Sequence, residues 1–267
     1  MHADVVQDRA RSSTRKGRRV GEWMRHASSY PRELLLLALF VVSLPAVTTR
    51  LYASDEIQYF AYLRSLWFDR DLSFDDEYRY FMDRGIAQGS RPRADGTGVY
   101  GGNFRQTFLE TETATGLRVN FAPIGTALLW APFYLTADAG VRIARALGST
   151  VAADGFSQPY IAAVTYASAF YGFLAVLLST VALRRIFGED DLSAVPVWVG
   201  TPLLFYTYVA PGYSHACSAA VVAAFVVVWL HVRQTWTTAG IVVLGALAAL
   251  MGMVREQDGF IAIGPAV

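Results

Sequence analysis

The stretch Ala122-Pro-Ile-Gly-Thr-Ala-Leu-Leu-Trp-Ala-Pro-Phe-Tyr-Leu-Thr-Ala-Asp-Ala-Gly-Val-Arg-Ile-Ala-Arg-Ala-Leu147 decides how this chain is threaded. It begins apolar, but Asp138, Arg142 and Arg145 follow at i, i+4 and i+7, a spacing that forms one polar stripe on a helix. Read as a full membrane span, it carries that stripe into hydrocarbon, where an unpaired charge at the bilayer centre costs at least about 2.5 to 3.5 kcal/mol. Read as an interfacial helix, it lies apolar face down with Trp130, Phe133 and Tyr134 as anchors. The cost of the charges favours the interfacial reading.

Outward from this segment, apolar runs cover Leu34 to Val47, Pro159 to Leu183, Ala194 to Val209, Ala216 to Val232 and Ala239 to Val254, and a last one opens at Phe260. A span needs about 20 residues. The first run reaches that length by extension to Leu51, and the Ala194 run by extension into its flanks, with Trp198, Tyr206 and Tyr208 suited to an interface. The final run stops at Val267, which is too short to cross about 30 Å of hydrocarbon, so the polypeptide is expected to be the N-terminal part of a longer protein. Leu34 to Val47 also has the length of a signal-peptide core, with Ala46 or Ala53 before a cleavage point. The long charged lead and the later apolar runs favour a retained signal anchor.

Composition agrees with a membrane protein. Hydrophobic residues make up 54% and charged residues 17%, against about 25% charge in ordinary soluble domains. Arg9, Arg11, Arg15, Lys16, Arg18, Arg19, Arg25 and Arg32 all precede the first run, which by the positive-inside rule puts the N-terminus in the cytoplasm. That topological explanation displaces a nucleic-acid-binding tail, and no nucleic-acid partner is expected. Cys217 is the only cysteine, so no disulfide framework or thiolate metal site exists, and it is expected to pack as a small apolar residue.

Chemistry-bearing residues gather at the ends of the runs. In Leu51-Tyr-Ala-Ser-Asp-Glu-Ile-Gln-Tyr-Phe60, directly after the first run, Ser54 is expected to cap a helix whose first turn holds Asp55 and Glu56, where the helix dipole favours acids. Ile57, Phe60, Leu63, Trp67 and Phe68 give that helix apolar surface, with Gln58, Ser65 and Asp69 on another side, so it too can lie at the interface. Ordinary first-turn acids are the plain alternative to a catalytic pair. Neighbours on a helix point about 100° apart, so one acid acts while the other orients. Arg255 and Glu256, in Met253-Val-Arg-Glu-Gln-Asp-Gly259, follow the Ala239 run; a charged loop snorkelling to headgroups competes with substrate binding there. Tyr213 and His215 occupy the turn before the Ala216 run, and a lone His at a helix entrance is commonly just a satisfied polar group. Arg118 precedes the 122–147 segment and reads either as a solvated loop charge or as an anion contact. Between these lies a stretch rich in Gly and charge, Asp83 to Gly102, with turn signals at Asp95-Gly96 and Gly101-Gly102. Val99 to Glu110 and Leu117 to Phe121 are expected to pair as short strands.

An acidic pair opening the first loop after the first span resembles the signature of the GT-C glycosyltransferases, polytopic enzymes that take a sugar from a polyprenyl-phosphate carrier. The resemblance extends from about Leu34 onward and includes the protein mannosyltransferases and the lipid A aminoarabinose transferases. In the latter, juxtamembrane helices fill the first outer loop and the next true span ends in a basic cytoplasmic turn similar to Leu183-Arg-Arg-Ile-Phe-Gly188. Basic-residue counts alone leave the topology open, because Arg184, Arg185 and Arg233 exchange sides with Arg142, Arg145 and Arg255 if 122–147 spans. The resemblance breaks the tie in favour of the interfacial helix.

The fold it implies is all-α: a polytopic GT-C-type transmembrane bundle with a long first outer loop carrying interfacial helices. Its parts are a basic cytoplasmic segment 1–33, a first transmembrane helix 34–51, an outer loop 52–158 and core transmembrane helices 159–267. It further implies Asp55 as general base, Glu56 positioning carrier or acceptor, and Arg255 binding the carrier phosphate, with Glu256, His215, Tyr213 and Arg118 as further substrate contacts. Relatives often carry Lys-Pro where this chain has Ala122-Pro123, which leaves Arg118 to make any phosphate contact there. The expected partners are a polyprenyl-phosphate-linked sugar, a lipid, glycan or protein acceptor, and membrane lipids. The expected location is a bacterial inner membrane, with the site facing the periplasm or exterior. No cofactor is implied with certainty, and a divalent metal is left open. No Walker loop, HExxH, GxSxG, CxxC or metal-spaced His/Asp cluster supports a rival chemistry.

The alternative class is a transporter or lipid flippase, which calls for charges within spans near the midplane; here they collect at turns instead. A membrane-anchored sensor needs 52–158 to fold alone, and its mixture of helix-like and Gly-rich segments gives little sign of a compact core.

Overall fold

The computed structural model describes residues 31–85, 91–92, 99–100, 104–188 and 194–266. The basic segment before residue 31 and the turn signals at Asp95-Gly96 and Gly101-Gly102 lie outside them. The chain divides at Ser43. The described part of the first unit is helix α1 (Pro31–Ser43), closed by Ser43 Oγ donating to the Phe40 carbonyl at 2.7 Å. It is shorter than the span expected over 34–51, because Pro45 removes a helical donor just beyond it.

The described elements of the second unit, from Leu44 onward, are helices and helical turns with one small ladder and one isolated bridge. Helix α2 (Ser54–Arg64) runs on through a wide π turn (Ser65–Asp69), and α3 (Asp75–Asp83) follows. Strands β1 (Arg91–Pro92) and β2 (Val99–Tyr100) pair antiparallel, Arg91 opposite Tyr100. The strand pair expected over 99–110 and 117–121 does not form: Arg105–Leu109 is a helical turn, and one isolated bridge joins Glu112 to Arg118. The helical turn brings Phe104 and Phe108, four residues apart, onto the same Tyr78 ring, at 5.7 and 5.3 Å.

Helices α4 (Gly125–Ala146) and α5 (Gln158–Phe187) pack antiparallel. Along α4, Leu129, Trp130 and Asp138 meet Tyr171, Ser168 and Tyr160 of α5 in reverse order, through hydrogen bonds of 2.9, 2.9 and 2.7 Å. Trp130 and Tyr134, expected as interfacial anchors, are instead fully buried, and Phe133 packs on Phe170 at 5.5 Å. Their polar tips find protein partners: Trp130 donates to Ser168 and the Tyr134 hydroxyl to the Gly155 carbonyl. The charged stripe is likewise satisfied. Asp138, 2% exposed, accepts from Trp67 Nε1, Tyr160 and Arg142 at 2.9, 2.7 and 2.7 Å, which removes the premise of an unpaired charge.

Among the described residues two helices, α5 and α8 (His215–Val232), are long and apolar enough to cross a membrane. Helix α9 (Thr238–Val254) is as apolar but has 17 residues. The Ala194 to Val209 run is not one helix. Pro202 holds Thr201 extended, dividing the run into α6 (Ala194–Gly200), α7 (Pro202–Leu204) and a π turn (Phe205–Val209). Trp198 therefore folds back onto Tyr208, at 6.2 Å, and is buried rather than interfacial. A 3-10 turn (Glu256–Ala262) and α10 (Ile263–Ala266) end the described chain.

The described residues of 52–158 contribute many aromatic side chains to a compact core that their sequence does not announce, and that core continues into α5, α8 and α9. Phe60 meets Phe81 and Tyr134 edge-on at 5.6 and 5.8 Å, and Tyr80 stacks on Phe156 at 4.0 Å. Ile57, Phe60 and Leu63 of α2 are consumed by this core and offer no interfacial face. At its edge Arg64 serves Asp69, Asp76 and Glu77 while lying over the Phe156 ring. One guanidinium shared by three carboxylates does not compensate the burial of Glu77, whose carboxyl is pushed up to about 7. The folded protein thus holds this proton more tightly than the unfolded chain. Its contribution to stability is complete below about pH 4.5 and is lost as pH rises through 7. Glu77→Gln is expected to remove most of this loss and to exceed the parent at pH 8 by on the order of 2 kcal/mol, checked by thermal unfolding in detergent across pH 5 to 8.

Candidate active site

Four chain segments converge where α8 begins and α9 ends: the start of α2, the turn 210–214, residues 254–257 and the strip before α4. Their approach is close. A Cβ on Gly125 would lie 2.4 Å from the Met253 carbonyl carbon, so only glycine lets the first turn of α4 abut the end of α9. One on Gly212 would lie 2.7 Å from Glu56 Oε1. Between the segments is a cavity of about 270 Å³, lined by Asp55, Tyr59, Tyr213, His215, Arg255 and Glu256, with Phe121, Pro123, Ser214, Val254 and Gln257 completing the wall.

The acidic pair splits. Asp55 is exposed in the cavity, its Oδ1 accepting from Ser54 Oγ at 3.3 Å. Glu56 is fully buried behind it. The helix cap is Ala53, not Ser54, and Glu56 reaches back from the first turn to accept from the Ala53 amide at 2.9 Å and from the Tyr52 amide. Burial raises its carboxyl above the usual range, and the Tyr52, Ala53 and Gly212 amides pull it partly back.

Arg255 takes an extended conformation (φ −151°) that ends α9. Its Nη1 lies 2.6 Å from His215 Nδ1, and the Gln257 amide oxygen, turned toward it, accepts from Nε and Nη2 at 3.1 and 2.5 Å. Among the described residues neither Arg255 nor Asp55 forms an ion pair, although they border one space. His215 stacks on Tyr206 at 3.7 Å.

Arg118 is not brought to the cavity. Asp75 at 2.7 Å and Glu112 at 3.2 Å claim its guanidinium and tie it to the start of α3. Conversely, Tyr59 and Gln257 line the cavity without having been singled out, and Tyr206, read as interfacial, instead backs the site by stacking on His215. Tyr59 follows Asp55 by four residues on one helix face, a signal present in the sequence; its hydroxyl donates to Ser214 at 3.1 Å. Among the described residues no three His, Cys, Asp or Glu side chains cluster as metal ligands. Chemically, the cavity offers two exposed carboxylates, Asp55 and Glu256, a guanidinium outside any described ion pair and an imidazole, a set suited to proton removal beside an anion.

No family model, curated protein or solved structure matches the chain.

The split of the pair sets opposite outcomes for its members. Glu56→Ala leaves buried amides without an acceptor and is expected to lower unfolding stability by about 2 to 3 kcal/mol. Asp55→Asn is expected to stay within about 0.5 kcal/mol of the parent. Denaturant titration of both variants in one detergent checks the contrast.

Proposed function

We propose that the protein is an integral, multi-pass membrane glycosyltransferase of GT-C type. It transfers a sugar from a polyprenyl-phosphate donor to an acceptor hydroxyl on a lipid, glycan or protein. The observation that carries this reading is the meeting of Asp55 and Arg255, remote in sequence, as unpaired opposite charges in one cavity at the ends of apolar helices. The site then faces the periplasm or exterior of a bacterial inner membrane.

In the transfer, Asp55 accepts the proton of the acceptor hydroxyl while that oxygen attacks the anomeric carbon. The bond from that carbon to the phosphate oxygen breaks, and the carrier leaves as a phosphate with one more negative charge. Arg255 stabilises the developing charge, and its fixed guanidinium needs little reorganisation to do so. A single displacement inverts the anomeric centre. Glu56 acts one step back, holding the helix start that presents Asp55.

Activity of the full-length chain against a panel of polyprenyl-phosphate sugars tests this. Asp55→Asn is expected to reduce transfer by about 10² to 10⁴-fold while the protein stays inserted and folded. Parent-like transfer by that variant, or no transfer from any donor by the parent, defeats the reading.

A further inference from the structure

The bond between His215 and Arg255 constrains both residues. A guanidinium carries only donors and stays charged, so His215 Nδ1, 2.6 Å from Nη1, must be the acceptor and the ring proton must sit on Nε2. The imidazole is not free to turn away, because it stacks on Tyr206 at 3.7 Å with planes 28° apart, and the Tyr213 ring stands 6.0 Å off.

We propose that His215 is a positioning residue for Arg255: a neutral imidazole whose Nδ1 lone pair holds the guanidinium in the cavity and whose protonation releases it. This rests on the assignment of Arg255 to the donor phosphate. A proton on Nδ1 would set N–H against N–H and one cation against another at hydrogen-bond distance. The other groups facing the ring do not replace the lost acceptor. Asp55 on α2 is not in ion-pair reach of Arg255, nor are Glu256 and Asp258 on the 3-10 turn, and Asp258 is held by Ser218 Oγ at 2.5 Å. Tyr206 and Tyr213 present rings. Only the Gln257 amide oxygen then remains on the guanidinium.

The test uses the full chain in nanodiscs and geranyl methyl phosphate, a phosphodiester that keeps one negative charge across the titration. An Asn side chain can imitate Nδ1, whereas a Gln side chain reaches toward Nε2. His215→Asn is expected to bind within about threefold of the parent with a flat pH profile, and His215→Gln about tenfold more weakly. The parent itself is expected to weaken about tenfold on acidification through the imidazole range. Equal binding by the Asn and Gln variants, or tighter parent binding in acid, overturns the proposal. A second readout is ¹⁵N NMR of histidine-labelled chain, with His215 identified by its loss in His215→Asn. Nδ1 without a proton near neutral pH supports the proposal, and a proton there overturns it. If Nδ1 is unprotonated but the parent does not bind the phosphodiester, the phosphate assignment of Arg255 fails while the hold of His215 on it stands.

Discussion

The buried carboxylate of Glu56 is the constraint on which the site depends. It accepts from the amides that open α2 and lies against Gly212 in the turn before α8, so one side chain fixes two segments that are far apart in sequence. Burying a carboxylate is costly, and the cost is offset only by donors that no water could replace there. Removing Glu56 therefore frees the helix start and the turn together. With both fixed, Asp55 must point to the space that His215 and Arg255 border.

A second close contact completes the frame. Gly125 lets α4 press against the last residues of α9, which seats Arg255 at a bend in the chain and not within a helix. The N-terminal half of α5 is in turn tied to α4 by hydrogen bonds from Trp130, Tyr160 and Tyr171, the first two buried. Polar groups in this unit are thus concentrated at helix ends and in the 52–158 region, while α8 and α9 are apolar along their lengths. That distribution suits chemistry at the end of a helical bundle better than passage through its middle.

The long apolar helices were legible in the sequence because nothing competes with an unbroken apolar run that has good end signals. The Pro159 to Leu183 run became Gln158–Phe187, with Pro159 in its first turn and Gly188 left-handed at its end. Ala216 to Val232 and Ala239 to Val254 each gained one residue at the start. Illegible were features decided by distant partners. Nothing near Trp130 says that Ser168 will accept a hydrogen bond from its indole N–H, and nothing near Arg118 announces Asp75 and Glu112. The break at Thr201-Pro202 was written locally but hidden by the hydropathy around it. Of the site, Asp55, Tyr213, His215, Arg255 and Glu256 were visible because they flank apolar runs. The separate fate of Glu56 was not, since only the fold shows which of two adjacent acids faces inward.

Occupation of the cavity by a lipid-linked donor is the central claim, and thiol protection measures it most directly. Phe121 lines the cavity and is 70% exposed, whereas Cys217 is fully buried and silent to a charged thiol reagent. In full-length protein carrying Phe121→Cys, a polyprenyl-phosphate sugar that supports turnover is expected to slow labelling, with labelling of a Thr111→Cys control unchanged. Labelling of the Phe121 position at the same rate with and without that donor would contradict the assignment of this cavity to the donor.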